Sequence, residues 1–276
     1  MPTVRYVFAD VFTDVPFAGN QLAVFTDARE IPEERLQPLA RELNFSESVF
    51  VYPAEGDGHA KIRIFTPTLE LPFAGHPVLG PAFVLGGPLQ LQELWLETGA
   101  GLVPVRLERE GSRIGFGWMR QPPFPFEPYD RAKELLALLG VEESGLPVEL
   151  YRQGPGHVLI ELGSPEAVAA LRPDFGALLE LNAYGTSCFA RDGERWKARV
   201  FVPAHGVPED PATGSAAGPL ALHLARHGRI GFGDEIEIRQ GVEIGRPSTL
   251  HAVARSPEEV EVGGSAVVVA RGEFRL

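Results

Sequence analysis

Three titratable side chains stand where they could transfer protons. Glu47 ends the segment Asn44-Phe-Ser-Glu and directly precedes an apolar stretch. His76 and Asp210 lie in two Pro- and Gly-containing turns, each followed by an apolar segment. A carboxyl group tipped into a partly apolar cleft has a raised pKa and works as acid and base near neutral pH. These residue types therefore indicate general acid/base chemistry that requires neither a metal nor a cofactor.

Each of these residues also fits a structural role. An aspartate near a helix start caps the helix, a buried histidine is satisfied within a core, and a glutamate at a strand end lies at the surface. The local sequence leaves both interpretations open.

Two glycine turns lead into segments that are typical of helices. They read Pro72-Phe-Ala-Gly-His-Pro-Val-Leu-Gly-Pro81 and Pro208-Glu-Asp-Pro-Ala-Thr-Gly-Ser-Ala-Ala-Gly-Pro219. The first N–H groups of a helix lack partners and lie at the positive end of its dipole. Two such helix starts brought together would bind an anion such as a substrate carboxylate. The alternative is that the glycine, serine and proline residues serve capping alone.

Three further candidates have weaker patterns. His223 and His227 are four residues apart on one predicted helix, as a metal pair would be, but no acidic or further histidine ligand stands at a helpful spacing. We therefore expect both to be helix-surface residues. Cys188 is expected to be a small buried strand residue rather than a nucleophile. Arg246, in a glycine-containing hairpin, either pairs with a carboxylate or braces the hairpin.

Composition and charge narrow the class of protein. The 276 residues are 44% hydrophobic, and 37 acidic against 25 basic residues give a net charge of −12. This balance argues against a protein that coats nucleic acid or an anionic membrane. A single cysteine excludes disulfide frameworks and cysteine-based zinc sites. Without a leader pattern or an apolar run near the ~18 residues that span a bilayer, we expect a soluble, cytoplasmic protein.

The elements that must position these residues alternate between short strands and helices. Helices are predicted at Pro32–Leu43, Pro77–Leu85 (stopped by Gly86-Gly87-Pro88), Ala132–Leu139, Ser164–Leu171 and Ser215–His227. Strands are predicted at Val4–Phe12, Leu22–Phe25, Ser48–Tyr52, Lys61–Phe65, Leu94–Glu97, Leu102–Glu108, Arg113–Trp118, Leu150, His157–Leu162, Tyr184–Ala190, Ala198–Pro203, Glu235–Arg239, Thr249–Ala254 and Ala266–Arg271.

The chain contains a faint internal duplication. Three pairs share one spacing and two pairs share a slightly longer one: Phe65/Phe201, Pro67/Pro203 and Pro72/Pro208, then Gly80/Gly218 and Pro81/Pro219. In each copy a strand, a proline-rich loop, a glycine turn and a helix follow one another. The Pro-rich segment Gln121–Pro128 between the copies sustains neither a helix nor a central strand. We therefore predict two similar lobes with a cleft between them.

At these residues the sequence resembles the PhzF-like (phenazine biosynthesis) family, whose fold is that of diaminopimelate epimerase. The resemblance covers essentially the whole chain. It is carried by the blocks Asp10-Val-Phe-Thr-Asp, Phe17-Ala-Gly-Asn20, Asn44-Phe-Ser-Glu47, Arg63-Ile-Phe-Thr-Pro67, Glu70-Leu-Pro-Phe-Ala-Gly-His-Pro-Val-Leu-Gly80, Glu209-Asp-Pro-Ala-Thr-Gly-Ser-Ala-Ala-Gly218, Gln240-Gly and Gly245-Arg-Pro-Ser248.

The resemblance implies an α+β fold of two pseudo-symmetric lobes, each a mostly antiparallel sheet wrapped round a central helix. The N-terminal lobe would comprise residues 1–120, to which the last strand at about 265–276 returns. The C-terminal lobe would comprise residues 121–264. It further implies a homodimer with neither cofactor nor metal.

The resemblance to this family implies a cofactor-free isomerase that moves a proton on a dihydro-hydroxyanthranilate. The implied catalytic residues are Glu47, His76 and Asp210, and the implied substrate-binding residues are Asn20, Gly75, Gly214 and Ser215. Glu47 would remove a proton and return it elsewhere on the substrate. His76 and Asp210 would orient the substrate, and backbone groups at the glycine turns would hold its carboxylate.

Two departures from the family pattern affect the substrate. Gln21 follows Gly19-Asn20 where the family more usually has proline, and Phe45 precedes Ser46. The epimerase relatives use a cysteine from each glycine turn, and neither turn has one here. The alternatives are a cysteine-free epimerase or racemase that uses Glu47 and Asp210 on opposite faces of a carbon, and a binding protein without catalysis.

Overall fold

The computed structural model describes residues 3–181 and 184–276, which form eighteen β-strands and six α-helices. The strands of the first half are β1 (Thr3–Val11), β2 (Asn20–Phe25), β3 (Glu47–Tyr52), β4 (Ala60–Phe65), β5 (Glu70–Leu71), β6 (Glu93–Thr98), β7 (Gly101–Glu110) and β8 (Arg113–Arg120). Those that follow are β9 (Phe126–Pro128), β10 (Glu149–Tyr151), β11 (His157–Glu161), β12 (Gly185–Asp192), β13 (Arg195–Val202), β14 (Val207–Asp210), β15 (Glu235–Gln240), β16 (Ser248–Ser256), β17 (Glu259–Gly264) and β18 (Ala266–Arg275). The helices are α1 (Glu33–Leu43), α2 (His76–Leu89), α3 (Ala132–Leu139), α4 (Pro165–Ala170), α5 (Phe175–Leu181) and α6 (Gly214–Arg226). The predicted α+β class is confirmed.

The strand pairing repeats itself in the two halves. In the first half β2 pairs with β3 and β4 with β6 in parallel, while the pairs β1–β2, β3–β4, β4–β5, β6–β7 and β7–β8 are antiparallel. In the second half β11–β12 and β13–β15 are parallel, and β10–β11, β12–β13, β13–β14, β15–β16 and β16–β17 are antiparallel. The same connections in the same order reveal two copies of one unit, as the duplicated sequence pattern predicts.

The C-terminal strand completes the first copy. β18 pairs antiparallel with β1, as β9 pairs with β10 in the second copy. The pair β8–β17 joins the two halves, so the strands form one hydrogen-bonded sheet. From these pairings we propose the lobe boundaries stated above, at residues 120/121 and 264/265.

Each half surrounds one apolar helix. Helix α2 packs against β1, β2, β6, β7 and β8, and α6 packs against β11, β15, β16 and β17. Every residue of α6 from Gly214 to Ala225 is buried. A helix that is apolar on all sides is stable only inside a core. The sheets therefore fix the position of both helices, and with them the glycine turns at which the helices begin.

The predicted end of the first central helix is wrong. Helix α2 continues through Gly86, Gly87 and Pro88 to Leu89 instead of ending at Leu85. Arg109 on β7 donates to the carbonyl of Gly86 at 2.5 Å. A side chain distant in sequence thus satisfies a carbonyl that the helix itself leaves free near its end.

Five elements lack a clear sequence signal and went unpredicted: helix α5 and strands β5, β9, β14 and β17. Among the described residues no helix combines the length and the apolar character needed to cross a membrane.

Candidate active site

The two central helices begin against each other. A Cβ built on Gly75 would lie 2.5 Å from the Cα of Gly214, and a Cβ built on Gly214 would lie 2.9 Å from the Cα of Gly75. Only glycine permits this approach of two backbones. The free N–H groups of both helix starts and the positive ends of both dipoles therefore meet at one place, which favours a bound anion.

The ring of Phe12 packs against the contact between the two helix starts. Its φ of 64° lies in the left-handed region, which a bulky residue rarely adopts. The ring packs under the turn, since a Cβ on Gly214 would come within 2.9 Å of its Cζ. Backbone strain of this kind, worth about 1–3 kcal/mol, persists only where the surroundings enforce it.

Asn20, the first residue of β2, joins the two halves beside the helix starts. Its side chain is fully buried. The amide nitrogen Nδ2 donates to Asp210 Oδ1 at 2.8 Å and to the carbonyl oxygen of Ala212 at 2.9 Å. The amide oxygen accepts from Ser46 Oγ at 2.6 Å. Asn20 therefore holds Asp210, from the second half, against the segment that carries Glu47.

His76 is a neutral base in this arrangement. Burial lowers the pKa of its ring to about 3, although a hydrogen bond with the backbone of Gln21 acts in the opposite direction. Nδ2 of Asn20 lies 3.2 Å from Nδ1 of His76, but its two hydrogens serve the shorter contacts to Asp210 and Ala212. Since Nε2 has no hydrogen-bond partner among the described residues, the hydrogen bond with the Gln21 backbone is made by Nδ1. We therefore assign the ring hydrogen to Nδ1, which leaves a lone pair on Nε2.

That lone pair faces Glu47. Nε2 of His76 lies 3.4 Å from Oε2 of Glu47. Both atoms are buried, and neither makes a well-aligned hydrogen bond to a described residue. Burial, together with the negative charge of Asp210, raises the pKa of the Glu47 carboxyl well above its usual value. Glu47 is thus suited both to accept a proton and to give it back.

Asp210 is the second carboxyl of the site and is held more firmly. Its Oδ2 accepts from Thr213 Oγ1 at 2.6 Å. Gln240, at the end of β15, donates from Nε2 to the carbonyl oxygen of Asp210 at 2.8 Å and to Thr213 Oγ1 at 2.9 Å. Burial raises the pKa of Asp210 to about 6, although the hydrogen bonds from Thr213 and Asn20 favour its charged form.

Both carboxyl groups, of Glu47 and Asp210, open into one narrow cavity between the halves. Its lining residues are Ser46, Glu47, Thr66, Leu71, Pro155, His157, Val202, His205, Val207, Asp210, Thr213 and Ser215. The space open to the centre of a water molecule is about 20 Å³. This space has room for about one water molecule and not for a ring-sized ligand.

Contacts join all seven predicted site residues: Asn20 contacts His76 and Asp210, Glu47 lies beside His76, and Gly75 meets Gly214 and Ser215. Of these, Glu47, Asp210 and Ser215 line the cavity. Glu47 and Asn20 come from the first half, Asp210 from the second, and His76, Gly75, Gly214 and Ser215 from the two helix starts. Their individual roles stay predictions. Sequence reasoning assigned no role to Ser46, Thr213, His157, His205 or Gln240, although Ser46, Thr213 and Gln240 belong to the quoted motif blocks.

The expected surface position is wrong for His223 in α6, whereas His227, directly after the helix, is partly exposed. His223 is completely buried, and Glu149 from β10 lies 3.2 Å from its Nδ1 and 3.3 Å from Nε2 of His227. The carboxylate is already paired with Arg226 at 2.6 Å. Although burial opposes ionisation, hydrogen bonds led by that of Arg226 lower the pKa of Glu149 to about 2. The carboxylate of this group is thus already neutralised by a guanidinium.

The two remaining candidates have structural roles. Cys188 is buried within β12, as predicted, and burial raises the pKa of its thiol to about 12. A thiol in that state is a poor nucleophile. Arg246 pairs with Asp10 at 2.6 Å and donates to the carbonyls of Ala18 and Gly19 at 2.7 and 2.9 Å. It braces the loop that leads into Asn20.

Comparisons with known proteins agree with this geometry. The family model PhzC-PhzF, described as phenazine biosynthesis-like protein, matches residues 9–272. The chain is 50% identical over 276 residues to a trans-2,3-dihydro-3-hydroxyanthranilate isomerase of Pseudomonas aeruginosa, covering 99% of both chains. A solved predicted epimerase of the same species is 32% identical with a TM-score of 0.86, covering 98% of this chain and 99% of that one.

A more distant structure supports the fold alone. A hydroxyproline epimerase from Agrobacterium vitis has a TM-score of 0.71 at 14% identity, with 98% of this chain and 92% of that chain covered. The predicted two-lobe, epimerase-like architecture is thereby confirmed. By its family match and its close relatives, this chain belongs to the phenazine biosynthesis-like (PhzF) family and is an isomerase.

Proposed function

We propose that this protein isomerises trans-2,3-dihydro-3-hydroxyanthranilate, or a closely similar cyclic carboxylic acid, by moving a proton. The observation that carries the proposal is the Glu47 carboxyl, which is buried with a raised pKa. It lies 3.4 Å from Nε2 of His76, an atom without a well-aligned hydrogen bond to any described residue. The relative of 50% identity bears that activity in its name and matches along the whole chain.

The substrate carboxylate binds at the paired helix starts. N–H groups at Gly75, Gly214 and Ser215 lie at the positive ends of two dipoles that meet there. Proton removal next to a conjugated carboxylate spreads negative charge into that carboxylate. Preorganised donors stabilise this developing charge more than they stabilise the ground state, which lowers the barrier.

Glu47 removes the proton and returns it to another carbon of the same face. Its raised pKa makes the carboxylate a stronger base than an exposed glutamate, and the enclosed cavity keeps the proton from exchanging freely with water. The lone pair of His76 accepts a hydrogen bond from protonated Glu47 between the two transfers. Asp210, held by Asn20, Thr213 and Gln240, orients a polar substituent of the substrate.

This mechanism uses the protein's own groups throughout. This chain cannot use two turn cysteines as the epimerases do, because the turns around Gly75 and Thr213 contain no cysteine. We propose that it acts without a cofactor or a metal, as a cytoplasmic homodimer with a small carboxylate as its ligand and no nucleic-acid or membrane partner.

The test is a Glu47→Gln variant assayed by NMR in D2O with trans-2,3-dihydro-3-hydroxyanthranilate. We expect turnover to fall ~10²- to 10⁴-fold while the fold and ligand binding persist, since glutamine keeps the shape but cannot take up the proton. Glu42→Gln, an exposed change on α1, is the matched control and should remain fully active.

Two outcomes would contradict the proposal. Turnover by the Glu47→Gln protein equal to that of the wild type would remove Glu47 from the mechanism. Exchange of a single α-proton without movement of a double bond would assign the protein to the epimerases instead.

A further inference from the structure

His157, on β11, contacts the proposed anion site through Ser215. Its ring is completely buried, and Nε2 lies 2.9 Å from Oγ of Ser215, the second residue of α6. Both residues line the same cavity as Glu47 and Asp210. The sequence motifs give His157 no role, so its contact with a residue of the anion site is unexplained by the proposed reaction.

The ring of His157 carries a single hydrogen. Burial, and secondarily the nearby ring of His205, lowers its pKa to about 3, so the ring is neutral at physiological pH. That hydrogen is either on Nδ1 or on Nε2. With the hydrogen on Nε2, the Ser215 hydroxyl accepts a hydrogen bond from the ring; with it on Nδ1, the hydroxyl donates one.

The surroundings of Nδ1 decide between the two tautomers. Nδ1 is buried and has no hydrogen-bond partner among the described residues. It faces Gly185, where an added Cβ would lie only 2.5 Å away, so a C–H group and not an acceptor covers it. A buried N–H without an acceptor is rarer in folded proteins than an acceptor without a donor. The hydrogen therefore belongs on Nε2, which donates it to Oγ of Ser215.

This donation fixes what the serine can do. Oγ uses a lone pair on His157, and its own hydrogen is left to point into the cavity. In the other tautomer Ser215 would give its hydrogen to His157 and turn lone pairs toward the ligand, which would repel a carboxylate.

We propose that His157 is a positioning residue that makes the Ser215 hydroxyl a hydrogen-bond donor to the substrate carboxylate. The inference rests on the proposed function, because it places that carboxylate at the start of α6. It adds a side-chain donor to the backbone N–H groups of the two helix starts. In this role His157 acts through the Ser215 hydroxyl.

The test is a double-variant cycle on the full-length protein. The variants are His157→Leu, Ser215→Ala and both together, with His157→Gln as the conservative change that keeps a donor. The binding probe is 3-hydroxyanthranilate, a stable aromatic acid with the same substituents, measured by titration calorimetry. Turnover of trans-2,3-dihydro-3-hydroxyanthranilate gives KM and kcat.

If His157 acts through the serine, each single change should weaken probe binding ~10- to 100-fold, as expected for a hydrogen bond to a charged group. KM should rise more than kcat falls. In the Ser215→Ala background, His157→Leu should add less than about a twofold loss. His157→Gln should recover part of the affinity. In the wild-type protein, the ¹⁵N shifts of His157 should show Nε2 as the protonated nitrogen.

The failures are distinguishable. If the wild-type protein binds the probe and the affinity losses of the two single variants multiply in the double variant, the role of His157 is overturned while the proposed function stands. A protonated Nδ1 in the ¹⁵N spectrum does the same, even where His157→Leu does not fold. Wild-type protein that neither binds the probe nor turns over the substrate overturns the proposed function together with this inference.

Discussion

Replacing Asp210 by asparagine should stabilise the folded protein at pH 8 and leave its stability at pH 4 almost unchanged. Asparagine has the shape of protonated aspartic acid, with one acceptor and one donor in place of the carboxylate's two acceptors. The substitution therefore removes the ionisation of a buried carboxyl while it keeps the contacts that the neutral form can make with Asn20 and Thr213.

The size of the effect follows from the raised pKa. Burial brings the pKa of Asp210 to about 6, against 3.8 for the unperturbed group. Because the folded-state value is the higher one, this group's contribution to stability is fully present below pH 3.8 and is lost as the pH rises through 6. The difference corresponds to ~3 kcal/mol at about 1.4 kcal/mol per pH unit. Removing the Asp210 charge also lowers the pKa of Glu47, which acts in the same direction.

The assay is urea unfolding of both proteins between pH 4 and pH 8. The two free energies of unfolding should agree at pH 4 and diverge by ~3 kcal/mol at pH 8, a shift of about 1 M in the midpoint. Asp130→Asn, an exposed change, should follow the wild type at every pH. Stability curves of the Asp210→Asn protein and the wild type that run parallel would refute the reasoning, because they would mean that this carboxyl ionises in the fold as readily as in water. A gain in stability joined to a loss of turnover would identify Asp210 as a residue kept for function.

Two further substitutions test the backbone and the brace of the site. Gly75→Ala should lower the free energy of unfolding by about 1–3 kcal/mol and weaken carboxylate binding, because its Cβ would lie 2.5 Å from the backbone of Gly214. The control is Gly87→Ala, whose Cβ would have nothing within 4 Å. Its stability in thermal unfolding should stay within about 1 kcal/mol of the wild type. Arg246→Met should lower the free energy of unfolding by about 2–4 kcal/mol, since it leaves the buried Asp10 carboxylate without its guanidinium; adding Asp10→Asn should restore part of that loss, and no recovery would contradict the charge argument.

Local sequence patterns predicted the elements well where the signal was local. Helix α3 lies at Ala132–Leu139 as predicted, and β4 begins one residue before its prediction. Helix α2 extends beyond its predicted end because Arg109, on strand β7, donates a hydrogen bond to the carbonyl of Gly86. Helix α5 gave no clear periodic pattern within its seven residues. Contacts made across the chain decided both cases, and no short window of sequence contains them.

The site shows the same division. The types and settings of Glu47, His76 and Asp210 predicted acid/base chemistry, and the resemblance named the residues around them. The identity of Gln240 as the residue that holds the Asp210 turn came only from the structure, since the two are 30 positions apart. His223 was expected at a surface, and only the fold places it in the core beside Glu149. Spacing along one helix says which residues share a face, but not what covers that face.

The duplication suits the site to the directional proton transfer that we propose. Two copies of one unit bring two equivalent helix starts together, so the anion site at Gly75 and Gly214 is built symmetrically. The titratable groups are not symmetric: one turn supplies the neutral ring of His76 and the other supplies the carboxyl of Asp210. A ligand held at the symmetric centre therefore meets an unequal pair of groups, with Glu47 on the side of His76. Under the proposed function, the paired helix starts fix where the substrate carboxylate binds, and the difference between the two turns determines from which side the proton leaves the substrate carbon.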